Sequence, residues 1–430
     1  MESIAYNISA ALKAALAPSL ARPAEAAAIA VARLDERLER SEPTLAEGFY
    51  ARANMFDAQA IIALAGGLAS LEDIVLHDAG MDIRAPTLEV LRAASAVRLR
   101  RSLARRDPGD VLAVKSLRGL LGMPEGQGGQ EAVPAAMTQT TADPPLARHA
   151  APAAPRPWDM PGFGEADADD GDRERDDGGD THDPDAPDLE PLDPGGAPDD
   201  HLDAAGAEDF AELDTLVARS RRALAAYNDL QSDAGRARLA VADPAYDQAG
   251  RLEAWLQAVA ATADLPAVLA AAIGLDAWLT LEPSEHQGEF GFLLAATLLR
   301  QRGLASAHLP ALALGLRASR WRWRPERAPQ VRLAGLLAAM CETARAGHAD
   351  LDRLTLTRAV MLAKCAGKSK NSRLLELVAL FTAAPLVTVQ AAAKALKVSP
   401  QGVEAMLAQL GTARPPERSG RKRYRAWGIL

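Results

Sequence analysis

The run Thr388-Val389-Gln390-Ala391-Ala392-Ala393-Lys394-Ala395-Leu396-Lys397-Val398-Ser399-Pro400-Gln401-Gly402-Val403-Glu404-Ala405-Met406-Leu407-Ala408-Gln409-Leu410-Gly411 decides how the C-terminal part folds. Thr388 caps a short helix over Val389–Leu396, whose small residues Ala392 and Ala393 permit a close helix crossing. Lys397-Val398 make a turn. Ser399 is a good N-cap, and Pro400 falls at the first helical position, where its missing N–H is not needed. The helix that follows buries Val403, Met406, Leu407 and Leu410, spaced three and four apart, and Gly411 stops it. Upstream, Ser372–Thr382 reads as a helix with Leu374, Leu377, Val378 and Phe381 inward, and Pro385 ends the connection. Downstream, after a proline pair, Ser419-Gly420 turn a hairpin. Lys422, Tyr424 and Ala426 then alternate with Arg421, Arg423 and Arg425, which is a strand period. Three helices and a basic hairpin make a winged helix-turn-helix.

That geometry assigns roles. The third helix would lie in the major groove of duplex DNA. Gln401, Gly402, Ala405 and Gln409, with Ser399 at the helix start, would face the base edges. The wing would set Arg421, Lys422, Arg423 and Arg425 beside phosphates. Glycine commonly stands where Lys397 does, which leaves a strained or a shifted turn. The third helix carries no cation and one anion, Glu404, so affinity must come from the wing and flanking lysines. Use of the module as a protein-binding surface is the alternative. Lys364, Lys368, Lys370 and Arg373 form either a phosphate-contacting arm or a solvated connection.

The rest of the chain is also helical in character. Of 430 residues 48% are hydrophobic and only 4% aromatic. Alanine is abundant and strand formers are scarce, so the fold class expected is mainly α. The net charge of −9 hides a division. Between Asp159 and Asp209 stand 20 acidic residues and two arginines, a net of −18, which leaves +9 for the remainder. The segment 358–430 alone carries +10.

Four pieces follow. Residues 1–122 form an N-terminal helical domain. Ile4, Ile8, Leu12, Leu16 and Leu20 give one helix, and Ile29, Val31, Leu34 and Leu38 another. Gly66-Gly67 break an apolar run. Thr87 caps a helix that carries Arg98, Arg100 and Arg101 towards its end, and Val111–Leu121 makes a last helix. Residues 123–209 have almost nothing to bury and read as a disordered linker, Pro/Ala-rich and then acidic. It is either a solubilising tether or a mimic of nucleic acid that shields basic surfaces. Residues 210–357 form a second helical domain with helices around Leu213–Leu224, 251–263, 265–281, 291–302, 309–317 and 331–346, and the two blocks are expected to pack on each other. Residues 358–430 are the winged helix.

The tail resembles a bacterial, often plasmid-borne family that pairs an uncharacterised helical domain with a C-terminal helix-turn-helix. The stretches Ser372 to Val387, Leu396 to Gln401 and Arg421 to Ile429 carry the likeness, and Leu71 to Asp82 resembles that family's N-terminal part. A fainter resemblance is to Fic-domain proteins, whose motif cradles phosphates beside a histidine base. Here the matching stretch is 282–294, with Glu282 at the histidine position, Gln287 at the asparagine, and Glu289 and Phe292 at the arginines. The resemblance implies a scaffold without its phosphate-binding cations, so the chain is expected not to be an enzyme. His286, displaced by four residues, would be the one remnant in a residual nucleotidyltransferase.

Other chemistry finds little support. The seven histidines form no HxxxH pair, and no Gly-rich phosphate loop or GxSxG elbow occurs, so no metal or cofactor is expected. His77-Asp78 reads as a local hydrogen bond rather than a dyad. Arg320-Trp321-Arg322-Trp323-Arg324 is either a nucleic-acid grip or a connection whose tryptophans pack on the bundle. No signal peptide or membrane span is apparent, and the two cysteines suit a reducing cytoplasm. The sequence thus points to a cytoplasmic DNA-binding regulator, transcriptional or plasmid-linked, with duplex DNA as partner and a homodimer as one arrangement. The rival is a protein-interaction module on a dead Fic-like scaffold.

Overall fold

Proline and glycine cut the first block into short helices. The computed structural model describes residues 6–82, 85–123, 246–284, 288, 290–367, 372–420 and 425–430. Asn7 caps α1 (Ile8–Ala15), and Pro18 opens α2 (Pro18–Glu39). The single helix expected through Leu20 is therefore broken. Leu16 sits at the joint, 72% exposed, and Ile4 lies outside the described residues. Val31, Leu34 and Leu38 go inward, while Ile29 falls off that helical face and meets solvent. α3 (Pro43–Leu64) ends just before Gly66, which takes the left-handed φ of 83°. Ser70 caps α4 (Leu71–Asp78), and Thr87 caps α5 (Leu88–Arg105) as expected. The last expected helix is two, α6 (Pro108–Leu112) and α7 (Val114–Leu120), because Ala113 is extended, with a ψ of 138°.

The second block supplies α8 (Gln248–Ala260), α9 (Ala267–Leu281), α10 (Phe290–Gln301), α11 (Leu312–Ala318) and α12 (Pro329–Cys365). α11 begins beyond Pro310 rather than at Leu309. α12 is 37 residues long. It passes Ala346 and runs through position 358, so a boundary drawn there falls inside a continuous helix. The helix expected around Leu213–Leu224 and nearly all of the linker lie outside the described residues. α2 packs along α12, and α3 lies against α5 and α11, so the described parts of both blocks share a core.

Three buried carboxylates tie these segments together. Asp57 on α3 pairs with Arg100 on α5 and accepts from the Leu314 amide at 2.9 Å. Asp35 on α2 accepts from the amides of Ser306 and Ala307, at 2.8 and 3.0 Å, and bonds His308 Nδ1 at 2.6 Å. Asp276 on α9, fully buried, accepts from Tyr6, Trp323 and Arg332. A buried charge is tolerated only with such partners.

The Arg-Trp alternation resolves through the last of these. The Trp323 indole N–H reaches Asp276 at 2.8 Å, and Trp321 packs against Gly335 of α12. Arg320, Arg322 and Arg324 stay in solvent. The tryptophans thus pack on the bundle and the segment is a connection between α11 and α12. His77 bonds Asp82 at 2.8 Å rather than its neighbour Asp78, which pairs with Arg101.

The C-terminal module follows as α13 (Leu374–Ala383), β1 (Val387–Thr388), α14 (Val389–Leu396), α15 (Pro400–Leu410), a 3-10 turn (Gly411–Ala413) and β2 (Ala426–Trp427). β2 pairs antiparallel with β1, Val387 opposite Trp427 and Thr388 opposite Ala426. Glu417 bridges Trp427 as well, and the Arg418 amide donates to Ala426 O at 2.8 Å. No helix among the described residues is long and apolar enough to cross a membrane.

Candidate nucleic-acid interface

The two helices of the predicted motif form as their caps dictate. Thr388 Oγ1 accepts from the Ala391 amide at 3.0 Å, and Ser399 Oγ from the Gly402 amide at 3.1 Å. Lys397 sits between them in the left-handed region, φ 53° and ψ 47°. The turn therefore keeps its register, and a lysine bears the strain that glycine would avoid. α15 turns Val403, Met406, Leu407 and Leu410 into the core. Gln401, Ala405 and Gln409 are exposed along its outer side, and Gly402 is half-buried at its first turn. Ser399 is committed to the cap.

The charges divide into held and unheld. Arg425 lies over the Trp427 ring at 5.3 Å and 3.7 Å from Glu404 of α15. That pair is exposed on both sides and is worth about 0–1 kcal/mol, so a phosphate can compete for the arginine. Arg418 pairs with Glu72, Arg373 with Glu376 and Arg358 with Glu42. Lys394 and Lys397, exposed on α14 and the turn, have no ion-pair partner among the described residues. They flank the start of α15 and join the candidate phosphate contacts. From the sequence, flanking lysines count towards affinity, but neither Lys394 nor Lys397 is assigned a phosphate, because lysines in a short helix look like ordinary surface. Arg421, Lys422 and Arg423 lie outside the described residues.

Residues 374–430 match a family described as an HTH DNA-binding domain. Residues 240–366 match a protein family of unknown function, DUF1612. An uncharacterized protein, y4cF, of Sinorhizobium fredii is 34% identical over 423 residues, which covers 96% of this chain and 97% of that one. The chain belongs to this DUF1612–helix-turn-helix family. It therefore carries a DNA-binding domain at its C-terminus, behind a helical domain of unknown function.

In this family member one buried side chain of the body reaches several carbonyls of the module. Arg52 of α3, 1% exposed, uses all its guanidinium N–H groups on backbone carbonyls. Nε donates to Ile429 O at 2.7 Å, Nη1 to Gly48 O and Thr382 O at 2.8 Å, and Nη2 to Phe381 O at 3.0 Å and Ala384 O at 2.9 Å. Phe381, Thr382 and Ala384 stand at the end of α13, whose last carbonyls lack helical partners and carry the negative end of the macrodipole. Gly48, one turn before Arg52, permits the approach: a Cβ there would lie 2.0 Å from Thr382 O. Burial pushes Arg52 down to about 9, so it stays charged at neutral pH. Leu34, Leu38 and Phe49 of the body join Phe381 and Trp427 in one apolar cluster behind this clamp.

The Fic-like stretch is described only in part. Glu282 ends α9 in a left-handed conformation, φ 46°, and its carbonyl accepts from the Tyr246 hydroxyl. His286, Gln287 and Glu289 lie outside the described residues. Among the described residues no group of His, Cys, Asp or Glu is placed to hold a metal.

Proposed function

We propose that this protein binds duplex DNA with α15 in the major groove and acts as a transcriptional or plasmid-linked regulator. The carrying observation is the open outer side of α15, where Gln401, Ala405 and Gln409 face solvent beside Lys394 and Lys397, which have no ion-pair partner among the described residues. Gln401 suits bidentate reading of adenine, and the lysines suit phosphates. Residues 416–420 and 425–428, with the Glu417–Trp427 bridge, belong to the wing, and Arg421, Lys422, Arg423 and Arg425 are its proposed phosphate-contacting set. A homodimer would present two such helices about one helical turn of DNA apart, roughly 34 Å. In this reading the chain is not an enzyme, since Glu282 stands where a Fic histidine would act.

The test is duplex binding by the full chain, followed by fluorescence anisotropy from about 50 to 200 mM salt. Four to six phosphate contacts predict a log–log slope of roughly −4 to −5. Arg423→Ala is expected to weaken all duplexes alike and to flatten that slope by about one unit. An unchanged slope removes Arg423 from the phosphate set. No binding at the lowest salt would make the module a protein-interaction surface.

Gln401→Ala separates reading from attraction. It should cost about 1–3 kcal/mol on a selected cognate site and nothing on random duplex. Equal loss on both would mean that Gln401 does not read a base.

A further inference from the structure

A cavity of about 560 Å³ lies where the body meets the helix-turn-helix module. That is within the range of small-molecule sites, about 300–1,000 Å³. Its two walls differ. The module contributes Leu380, Leu386 and Ala391, an apolar wall that includes the end of α13 and the first turn of α14. The body contributes polar groups, among them Asn54, Arg100 and Arg101 of α5, and Arg300 of α10.

Those arginines are not equivalent. Arg101 is held bidentately by Asp78, at 2.6 and 2.8 Å, and Arg100 is paired with Asp57. Arg300 has no carboxylate within ion-pair distance among the described residues. Its Nη1 donates to two carbonyls, Leu103 O at 3.2 Å and Arg106 O at 3.5 Å. Among the described residues Nε and Nη2 make no such bond. A half-buried guanidinium with one edge uncommitted is suited to a carboxylate, which accepts two parallel N–H bonds.

We propose that this cavity receives a small amphipathic carboxylate, its head on Arg300 and its apolar body against Leu386 and Ala391. The ligand would touch the body and the DNA-binding module at once, so its occupancy would be coupled to how the module is held. That coupling rests on the DNA-binding reading above, whereas the binding site does not.

The probe is 2-naphthylacetate, titrated into the full chain and followed by its own fluorescence. Its 14 non-hydrogen atoms predict a Kd of about millimolar or tighter. The neutral 2-naphthaleneethanol should bind at least about tenfold more weakly. Arg300→Gln should erase the difference between acid and alcohol. Ala391→Phe fills the cavity from the module side and should abolish binding of both, and it keeps the test decisive if Arg300→Gln does not fold. Equal binding of acid and alcohol to the parent chain, or no saturable binding, overturns the proposal, as does full binding by a folded Ala391→Phe. A preference for 2-naphthyl phosphate overturns the carboxylate assignment. DNA anisotropy on the same samples separates the two readings: probe binding without DNA binding leaves the site and removes the regulator, and the reverse removes only the site.

Discussion

Arg52→Leu is expected to loosen the helix-turn-helix module from the body. The leucine fills part of the space but offers no donor to Ile429 O, Phe381 O, Thr382 O and Ala384 O, each now within 3.0 Å of the guanidinium. A buried acceptor left without a partner costs about 1–3 kcal/mol, and some of the four will recover water as the interface relaxes. The expected loss is therefore on the order of 4 kcal/mol, the upper end for one substitution. For a protein of this size that lowers Tm by roughly 4–6 °C. Replacing a buried ion by an apolar residue is often harmless when its partner is replaced too. Here the partners are peptide carbonyls, which no mutation of side chains removes. Arg52→Lys should recover only part of the loss, because one ammonium cannot span acceptors fanned around a planar fork. Calorimetry gives the stability, and trypsin cutting after Lys368 or Lys370 gives the release. A leucine variant within about 1 kcal/mol of the parent, with unchanged cutting, would mean that the apolar cluster alone docks the module.

What was legible in the sequence is what acts within four residues along the chain. Thr388, Ser399, Pro400 and Gly411 cap and stop α14 and α15 at the expected residues, because a cap hydrogen bond joins a side chain to an amide three positions on. The inward row of α15 followed from helical period for the same reason. Pro18 carried its signal too, and the apolar spacing across it was misleading. Arg52 carried none. It reads as one more arginine on a helix, and its acceptors are backbone carbonyls up to 377 positions away, which leave no trace in residue type. Arg100 reads as a solvent-facing cation near a helix end, yet it is buried against Asp57 on another helix. β1 is two residues long, too short for any alternation to show, and its partner lies beyond two helices. α12 outran its apolar pattern because its second half packs against different elements, α2 on one part and α13 on another. The candidate DNA-reading residues were thus visible from the sequence, and the joint that holds them was not.

Asp276→Asn tests the other deep contact, and the geometry predicts a loss of about 3–5 kcal/mol. Asp276 accepts four hydrogen bonds: from Tyr6 Oη at 3.0 Å, Trp323 Nε1 at 2.8 Å, and Arg332 Nε and Nη2 at 2.7 and 2.9 Å. Every partner is a donor. Burial and the neighbouring carboxylate hold the Tyr6 hydroxyl protonated well above the usual phenol range, so it donates to Asp276, and it is the one partner of the four bonds that could turn to accept from an asparagine amide. An asparagine keeps the shape and supplies one oxygen. Its amide N–H₂ must then face donors, and Arg332, with a largely buried side chain, loses its counter-charge. The loss is expected to be sharply non-additive. Asp276→Leu alone should cost as much as the asparagine. Combining it with Arg332→Met should return more than half of the stability, since no buried charge is then left unpaired. The residue that remains unrecovered reports on Tyr6 and Trp323, whose O–H and N–H still lack acceptors. Denaturant unfolding followed by tryptophan fluorescence measures the parent, Asp276→Asn, the single variants Asp276→Leu and Arg332→Met, and their combination. Simple addition of the two single losses would show that Asp276 and Arg332 do not act as a pair, and that the attachment of α1 and the Trp321–Trp323 connection rests on apolar packing instead.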